Sequence, residues 1–480
     1  MDLIKGDIIE ATVTDFASEG EGVIKSDGYP IFIPFAIKGE KIRACVTFAK
    51  KDCAFGEVVE VVTPSADRIK PLCPYFGKCG GCDLQHISTH LQLEIKRGAV
   101  QNALKKIAGI DVNVPLPVRL NDWGYRNKLS LPFAYNGRSK RVSLGFYEKR
   151  THKVVPLKWC PLHGEWASKL IAEVSEWANE YNISVYDENT HTGLLRHVVA
   201  RMLDSLSVTV VINGDKLPKQ AELIQKLKRS FADFTLYISP NKKNGNVIMG
   251  DSVRLVYGQE KPQSLGRFKA IVSPKSFLQI NNDVRDAIYD CAANALADFD
   301  GNIIELYSGV GLLTAQIALR LPNAKITAVE IERSSSGDAA ALMRSLELSD
   351  RVKCVCDDAK RFITALPEAQ SDEDKITVDE ATAKSPYYLG GMFEAAKKAL
   401  ILDPPRRGCD REVLECAGGF DRIVYISCNP QTLARDIKIL SAKYDLTYVQ
   451  PFDMFPQTAN VETLVLLSKK NPTGISKSTM

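Results

Sequence analysis

The sequence predicts an α/β protein: a doubly wound parallel sheet preceded by a small β-barrel and a central α+β region. Three observations carry this reading. From about residue 266 onward the near-continuous apolar strands NIIELYS, KITAVE, VKCVC, ALILDPP and RIVYIS alternate with helical patterns such as GLLTAQIALRL and SSGDAAALMRSLEL, as strands buried on both faces by crossover helices do. The first 63 residues instead string short strands between Gly turns, DIIEATVTDF, GEGVIKSDG, YPIFIP, EKIRACVTFAKK and FGEVVEVV. That spacing fits a small closed barrel of the oligonucleotide-binding kind. Finally, 480 residues exceed what one compact domain usually holds. The expected divisions are a barrel at 1–63, a central region at 64–265, the large sheet at 266–470 and a frayed tail at 471–480.

Composition narrows the class. With 45% apolar and 25% charged residues and a net charge of +4, the chain is globular and neither fibrous nor disordered. No apolar run approaches the roughly 20 residues of a membrane span, and the start MDLIKGDIIE has no secretory pattern. A cytoplasmic protein with no membrane partner is the expectation. In a reducing compartment its 12 cysteines are thiols, ligands or catalysts rather than a disulfide frame. All six histidines lie in the first two hundred residues, so chemistry built wholly in the large sheet must use carboxylates, thiols or amines.

Each element then has its reason. The barrel serves either as a nucleic-acid binder or as a spacer. After it, TPSADRIKPLCPYFGKCGGCDLQH breaks the strand pattern with Pro, Gly and three cysteines, and the helical segment LQLEIKRGAVQNALKKIAG follows. Between 119 and 158, ten Lys or Arg stand against Asp122 and Glu148, interleaved with Trp123, Tyr125, Phe133, Tyr135, Phe146, Tyr147 and Trp159. Cations beside rings suit RNA phosphates and unstacked bases; the alternative is a solvated sheet face whose rings turn into the core. Within the large sheet an acidic stretch, PEAQSDEDKITVDEATAK, reads as a solvated insertion.

The strand ends of that sheet are polar. The first runs into Tyr307-Ser308-Gly309-Val310-Gly311, and glycines there let a ligand approach the backbone. The second ends in Glu330, 21 residues beyond Gly309, where a carboxylate can hold ribose hydroxyls. The third ends at Asp357-Asp358, the fourth at Asp403-Pro404-Pro405-Arg406 and the fifth at Ser427-Cys428-Asn429-Pro430. Open parallel sheets bind ligands outside these carboxyl ends. Prolines stiffen the last two turns. If the terminal strand TLVLLSK is antiparallel, Glu462 starts it at the same edge as Cys428, and a thiol facing a carboxylate makes a catalytic pair. Taken singly, a buried structural thiol and a surface charge are the plainer readings of the two.

These residues resemble the S-adenosylmethionine-dependent RNA uracil-5-methyltransferase family over nearly the whole chain. GDIIEATVTDFASEGEGVIK resembles its small RNA-binding barrel, TRAM; CPYFGKCGGCDLQH resembles its iron-sulfur loop; SPKSFLQIN, ELYSGVG, DPPRRG, YISCNP and MFPQTANVETLV resemble its catalytic-domain motifs in order. The nearest members are the 23S ribosomal RNA enzymes, since the tRNA branch generally lacks barrel and cluster. The resemblance implies a Rossmann-like methyltransferase domain, and a [4Fe-4S] cluster on Cys73, Cys79, Cys82 and Cys160. Spacing alone leaves zinc open, because paired cysteines suit both. The five-residue first gap disfavours a radical enzyme. The cluster would staple the segment after the barrel to the central region.

By the same resemblance Cys428 is the nucleophile that adds to carbon 6 of uracil, and Glu462 is the proton acceptor. Gln279, Tyr307, Gly309, Gly311, Glu330, Asp358 and Asp403 stand at S-adenosylmethionine or substrate positions: Glu330 at the ribose, Asp358 at the adenine edge, Asp403 at the methionine portion or the nucleophile's surroundings. The uridine is expected single-stranded or flipped out, the RNA ribosomal and the protein monomeric. A tRNA substrate, or a non-catalytic RNA-binding assembly factor, are the alternatives. Departures are Gln457 and Asn460, where relatives commonly carry histidine, Glu305 in place of Asp, and the length of the acidic insertion.

Overall fold

A computed structural model describes residues 3–26, 28–366 and 397–470, with the short pieces Ile376–Thr377 and Pro386–Tyr387. The acidic stretch at 367–384, apart from Ile376–Thr377, and the tail at 471–480 lie outside the described residues. The chain divides into two compact units. The first takes the chain up to Ala99, Arg119–Gln259 and Phe455–Asn460; the second takes Val100–Val118, Glu260–Met454 and the chain from Val461.

In the first unit, Ile8–Thr12, Asp15–Phe16, Gly22–Ser26, Tyr29–Ile33, Lys41–Ala49 and Ala54–Thr63 form one six-stranded sheet, ordered first, fifth, sixth, fourth, third, second. Alternation builds it: Ile42, Ala44 and Val46 enter a core with Val13, Ile24, Ile31 and Ile33, while Lys41 and Arg43 face out. Helix α1 (Thr89–Ala103) follows the cysteine-rich stretch.

The central region is a seven-stranded mixed sheet, running in space from Arg254–Tyr257 through Phe234–Pro240, Leu206–Ile212, Leu195–Met202, Lys128–Asn136 and Arg141–Tyr147 to Val154–Pro156. Helices Glu165–Glu180 and Gln220–Ser230 pack on it through Leu170, Trp177, Leu223 and Leu227. In the 119–158 segment some of the rings and cations turn inward and others face out. Tyr125 and Phe133 are buried, and Phe146 packs against the core. The Arg119 side chain is buried beside Asp122, and Lys149, Arg150 and Lys153 pair with Asp83, Glu19 and Glu148. The turn from Tyr135 to Arg141 remains exposed, with Arg138, Lys140 and Arg141 on it.

The second unit carries the large sheet: β1 (Asn302–Leu306), β2 (Ile326–Glu330), β3 (Val352–Cys356), β4 (Lys398–Leu402), β5 (Arg422–Ser427), β6 (Tyr444–Phe452) and β7 (Glu462–Lys469). Their spatial order is β3-β2-β1-β4-β5-β7-β6. β1 to β5 are parallel, and β7 runs antiparallel between β5 and β6. Around it lie α2 (Asn282–Ala295), α3 (Leu312–Arg320), α4 (Arg333–Ser345), α5 (Ala359–Ala365) and α6 (Pro430–Leu440). Leu306, Val329, Leu400, Tyr425 and Val465 centre the core, which Val100, Leu104 and Val114 join. The order reverses between β1 and β4, which opens a crevice at their carboxyl ends. Among the described residues no helix is long and apolar enough to cross a membrane.

Candidate active site

Every parallel strand of this sheet delivers a polar group to one edge. After β1 the chain turns sharply: Tyr307, Gly309 and Gly311 all have positive φ, at 67°, 55° and 76°. A Cβ on Gly311 would stand 2.8 Å from Ala339 Cβ, so α3 can pack against α4 only with glycine there. Glu330, ending β2, accepts from the Gly309 N–H at 2.9 Å and the Glu332 N–H at 2.8 Å, which locks the glycine turn to β2. Asp358, after β3, is the N-cap of α5 and accepts from the Arg361 N–H at 3.0 Å. Gln279 is buried. Its loop is held by Asp338 of α4, which accepts from the Ser273 N–H and hydroxyl and from the Ser276 hydroxyl.

The fourth and fifth strand ends meet the start of β7. Ser427 pairs with Thr463 across the antiparallel β5–β7 ladder, so Cys428 and Glu462 lie one step further out at the same edge. The expected antiparallel terminal strand is present. Asn429 caps α6 by accepting from the N–H groups of Gln431 and Thr432, with Pro430 opening the helix. Cys428 thus stands at the positive end of a helix dipole. The Arg406 carbonyl accepts from Asn429 Nδ2 at 3.3 Å and Thr432 Oγ1 at 3.2 Å, tying the Asp-Pro-Pro-Arg turn to the nucleophile turn.

Charge and burial set the chemistry. Burial, then the nearby Glu462 and Asp403 carboxylates, push the Cys428 thiol up to about 11, while Arg406 opposes them. Burial and Asp403 hold Glu462 well above the usual carboxylate range, again opposed by Arg406. Burial and Glu330 raise Asp403 to about 7. A thiol, a buried and a half-buried carboxyl and one guanidinium therefore feel one another, as in a proton-handling site. Arg406 is the member to which sequence reading gave no role, although its motif was in view. Glu305, noted as a departure, is buried on β1; Thr314 Oγ1 donates to it at 2.6 Å, and burial raises it to about 8.

The other four predicted cysteines come together in the first unit. Cys73, Cys79, Cys82 and Cys160 line one cavity of about 50 Å³, with Phe76, Arg126, Trp159 and His163 among its walls. Burial raises all four thiols, Cys82 to about 12 and Cys160 to about 11, and each feels at least one of the others or is felt by it. His163 Nε2 lies 3.0 Å from the Lys128 carbonyl and Nδ1 lies 3.2 Å from Cys160 Sγ. Burial keeps this ring neutral, so the carbonyl fixes the Nε2–H tautomer and Nδ1 accepts. Among the described residues no three His, Cys, Asp or Glu side chains converge closely enough for a single metal ion.

Comparison with known proteins concerns the chain as a whole. A family profile described as tRNA (Uracil-5-)-methyltransferase matches residues 266–470, and the TRAM domain profile matches 3–59. An uncharacterized RNA methyltransferase of Halalkalibacterium halodurans is 34% identical over 97% of this chain and 98% of its own length. One from Listeria monocytogenes is 32% identical over 97% and 98%. The solved tRNA (uracil-54, C5)-methyltransferase of Pyrococcus abyssi, in complex with S-adenosyl-L-homocysteine, has a TM-score of 0.71 at 24% identity, covering 95% of this chain and 99% of that one.

Proposed function

Because the chain belongs to the TRAM-containing RNA uracil-5-methyltransferase family, we propose that it methylates carbon 5 of a uridine in 23S ribosomal RNA through a covalent bond to Cys428. The observation that carries this is the β5–β7 register, which sets Cys428 and Glu462 at one strand edge within the field of Arg406.

Carbon 5 of uracil is too weak a nucleophile to take a methyl group unaided. Cys428, as thiolate, adds to carbon 6, and the electrons of the 5,6 double bond move toward carbon 4 as an enolate. S-adenosylmethionine, when bound, would supply the methyl group to carbon 5, its sulfur–methyl bond breaking to leave S-adenosylhomocysteine. Glu462 then removes the hydrogen left on carbon 5, the 5,6 double bond re-forms, and the bond from carbon 6 to sulfur breaks to return the thiolate. Arg406 and the start of α6 favour that thiolate, which burial otherwise opposes. Glu330 would hold the cofactor ribose, Gly309 and Gly311 leave room beside it, and Gln279, Tyr307, Asp358 and Asp403 line the remainder.

The four-thiol cavity suits a [4Fe-4S] cluster better than a single zinc. A tetrahedral zinc at about 2.3 Å from each sulfur would need all four to converge on one point, whereas a cube binds each thiolate at its own corner. Cys73, Cys79, Cys82 and Cys160 would hold it, and a bound cluster would neutralise thiolates that burial otherwise disfavours. The exposed Tyr135–Arg141 turn offers a ring and three cations to RNA. An N-terminal barrel does not by itself select ribosomal RNA, since the Pyrococcus tRNA enzyme aligns over 95% of this chain. The test is labelled methyl transfer to unmodified 23S ribosomal RNA and unmodified tRNA transcripts, with the product nucleoside identified. 5-Methyluridine in the ribosomal transcript supports the proposal; methyl transfer to tRNA alone moves the substrate, and none to either overturns the activity.

A further inference from the structure

The loop joining β6 to β7 closes on the Phe452–Glu462 pair, so its conformation sets how the chain enters Glu462. Its middle, Phe455–Asn460, is held by other residues of the first unit through the Phe455, Pro456 and Gln457 carbonyls and the Gln457 N–H. The Gln457 carbonyl accepts from the N–H groups of Asp83 and Leu84 at 3.1 and 3.0 Å, directly after Cys82. Lys96 Nζ donates to the Phe455 carbonyl at 3.0 Å and the Tyr125 hydroxyl to the Pro456 carbonyl at 2.9 Å. Two buried amides complete the hold: Gln92 Nε2 donates to Gln457 Oε1 at 3.1 Å, and the Gln457 N–H donates to Gln92 Oε1 at 3.3 Å. Gln92 is itself fixed, since Nε2 also reaches the Leu84 and Ile87 carbonyls and Oε1 accepts from Arg119.

Gln457 has a φ of 70°, a left-handed conformation that a non-glycine residue keeps only when its surroundings impose it. A strained residue inside a closed hydrogen-bond ring, five residues before a buried carboxylate, does more than cap a loop. We infer that Gln457, clamped by Gln92, is a positioning residue that fixes the entry to Glu462 and so governs the release of methylated RNA rather than its methylation. This rests on the roles proposed above for Cys428 and Glu462. Proton removal depends directly on where Glu462 stands, whereas adduct formation and methyl transfer feel it only through its charge on the Cys428 thiol.

The experiment is single-turnover methylation of whichever transcript the wild type modifies, 23S ribosomal RNA or tRNA. It reads two quantities: methyl groups incorporated, and RNA held in a denaturation-stable complex with protein. Gln457→Ala and Gln92→Leu should incorporate methyl groups at rates within about threefold of wild type, yet release RNA at least about tenfold more slowly, because small misplacements of a reacting group carry penalties of that size or greater. Trapped RNA should accumulate. Lys96→Met, which leaves the amide pair intact and removes one anchor, should show the same split more weakly and decides the matter if the glutamine variants do not fold. Incorporation and release falling together, or neither changing, would overturn the inference. A Glu462→Gln control run alongside keeps the two levels apart: if that variant traps no RNA, the assignment of the base has failed rather than that of the clamp.

Discussion

Cys428 and the quartet Cys73, Cys79, Cys82 and Cys160 are the same side chain in opposite surroundings. Cys428 is half-buried at a strand-to-helix turn, where a guanidinium and a helix start favour its thiolate and two raised carboxyls oppose it. The quartet lines a mostly apolar cavity in which burial raises every thiol and neighbouring thiolates raise three of them further. The first setting suits the role proposed for Cys428, one sulfur alternating between thiol, thiolate and a bond to carbon. The second makes four thiolates untenable without a cation at their centre. On the proposed roles, a cysteine's task would be set by what faces it: a mobile proton in one unit, a fixed positive charge in the other.

The contrast breaks first at Cys428. Cys428→Ala should lower methyl transfer by more than about 10³-fold while cofactor affinity stays within about twofold, measured by turnover and by titration calorimetry. Activity retained in this variant would erase the distinction between the two settings. The quartet should behave in the opposite way: Cys82→Ser should abolish bound iron and lower the melting midpoint by more than about 5 °C, with cofactor affinity little changed. Iron analysis and calorimetry check it, and wild-type protein without iron would contradict the cluster.

Arg406 sharpens the comparison, because it is exposed, whereas the guanidinium among the quartet's walls, Arg126, is half-buried. Arg406→Met should slow turnover about tenfold, the effect of roughly one pKa unit. Since burial leaves the thiol high, near 11, the thiolate fraction grows with pH, so both enzymes should gain activity from pH 6 to 9, the variant's curve displaced downward. The last effect, on stability rather than turnover, belongs to Glu305. Folded, its carboxyl keeps a proton up to about pH 8; unfolded, it releases it near 4.5. Between those values the native state binds more protons, so this contribution lowers stability as pH rises, by up to about 1.4 kcal/mol per pH unit. Glu305→Gln should remove that slope, read from denaturation midpoints across the window.

The strand-end residues were legible because a parallel sheet puts the residue after each apolar strand at one edge, so Glu330, Asp403 and Cys428 follow from where the apolar runs stop. Glu462 required one extra assumption, an antiparallel last strand, which the β5–β7 ladder meets. Spacing could not tell which of the rings and cations at 119–158 face water: Phe133 and Tyr135 share one face of their strand, yet Phe133 is buried and Tyr135, next to the strand end, is exposed. Nor could it find the clamp: Gln92 and Gln457 are 365 residues apart, and a glutamine pair leaves no periodic trace. Asp358 was placed at the right strand end, yet one of its carboxylate oxygens caps α5, a duty visible only once the helix start is fixed.

The direct test of the covalent route is to incubate Glu462→Gln protein with S-adenosylmethionine and the transcript that the wild type methylates, then digest and analyse the peptides by mass spectrometry. The account predicts a fragment spanning residue 428 that carries a 5-methyl-5,6-dihydrouridine joined through sulfur. Methylated RNA released freely from that variant, or a nucleotide attached to any other side chain, would contradict it.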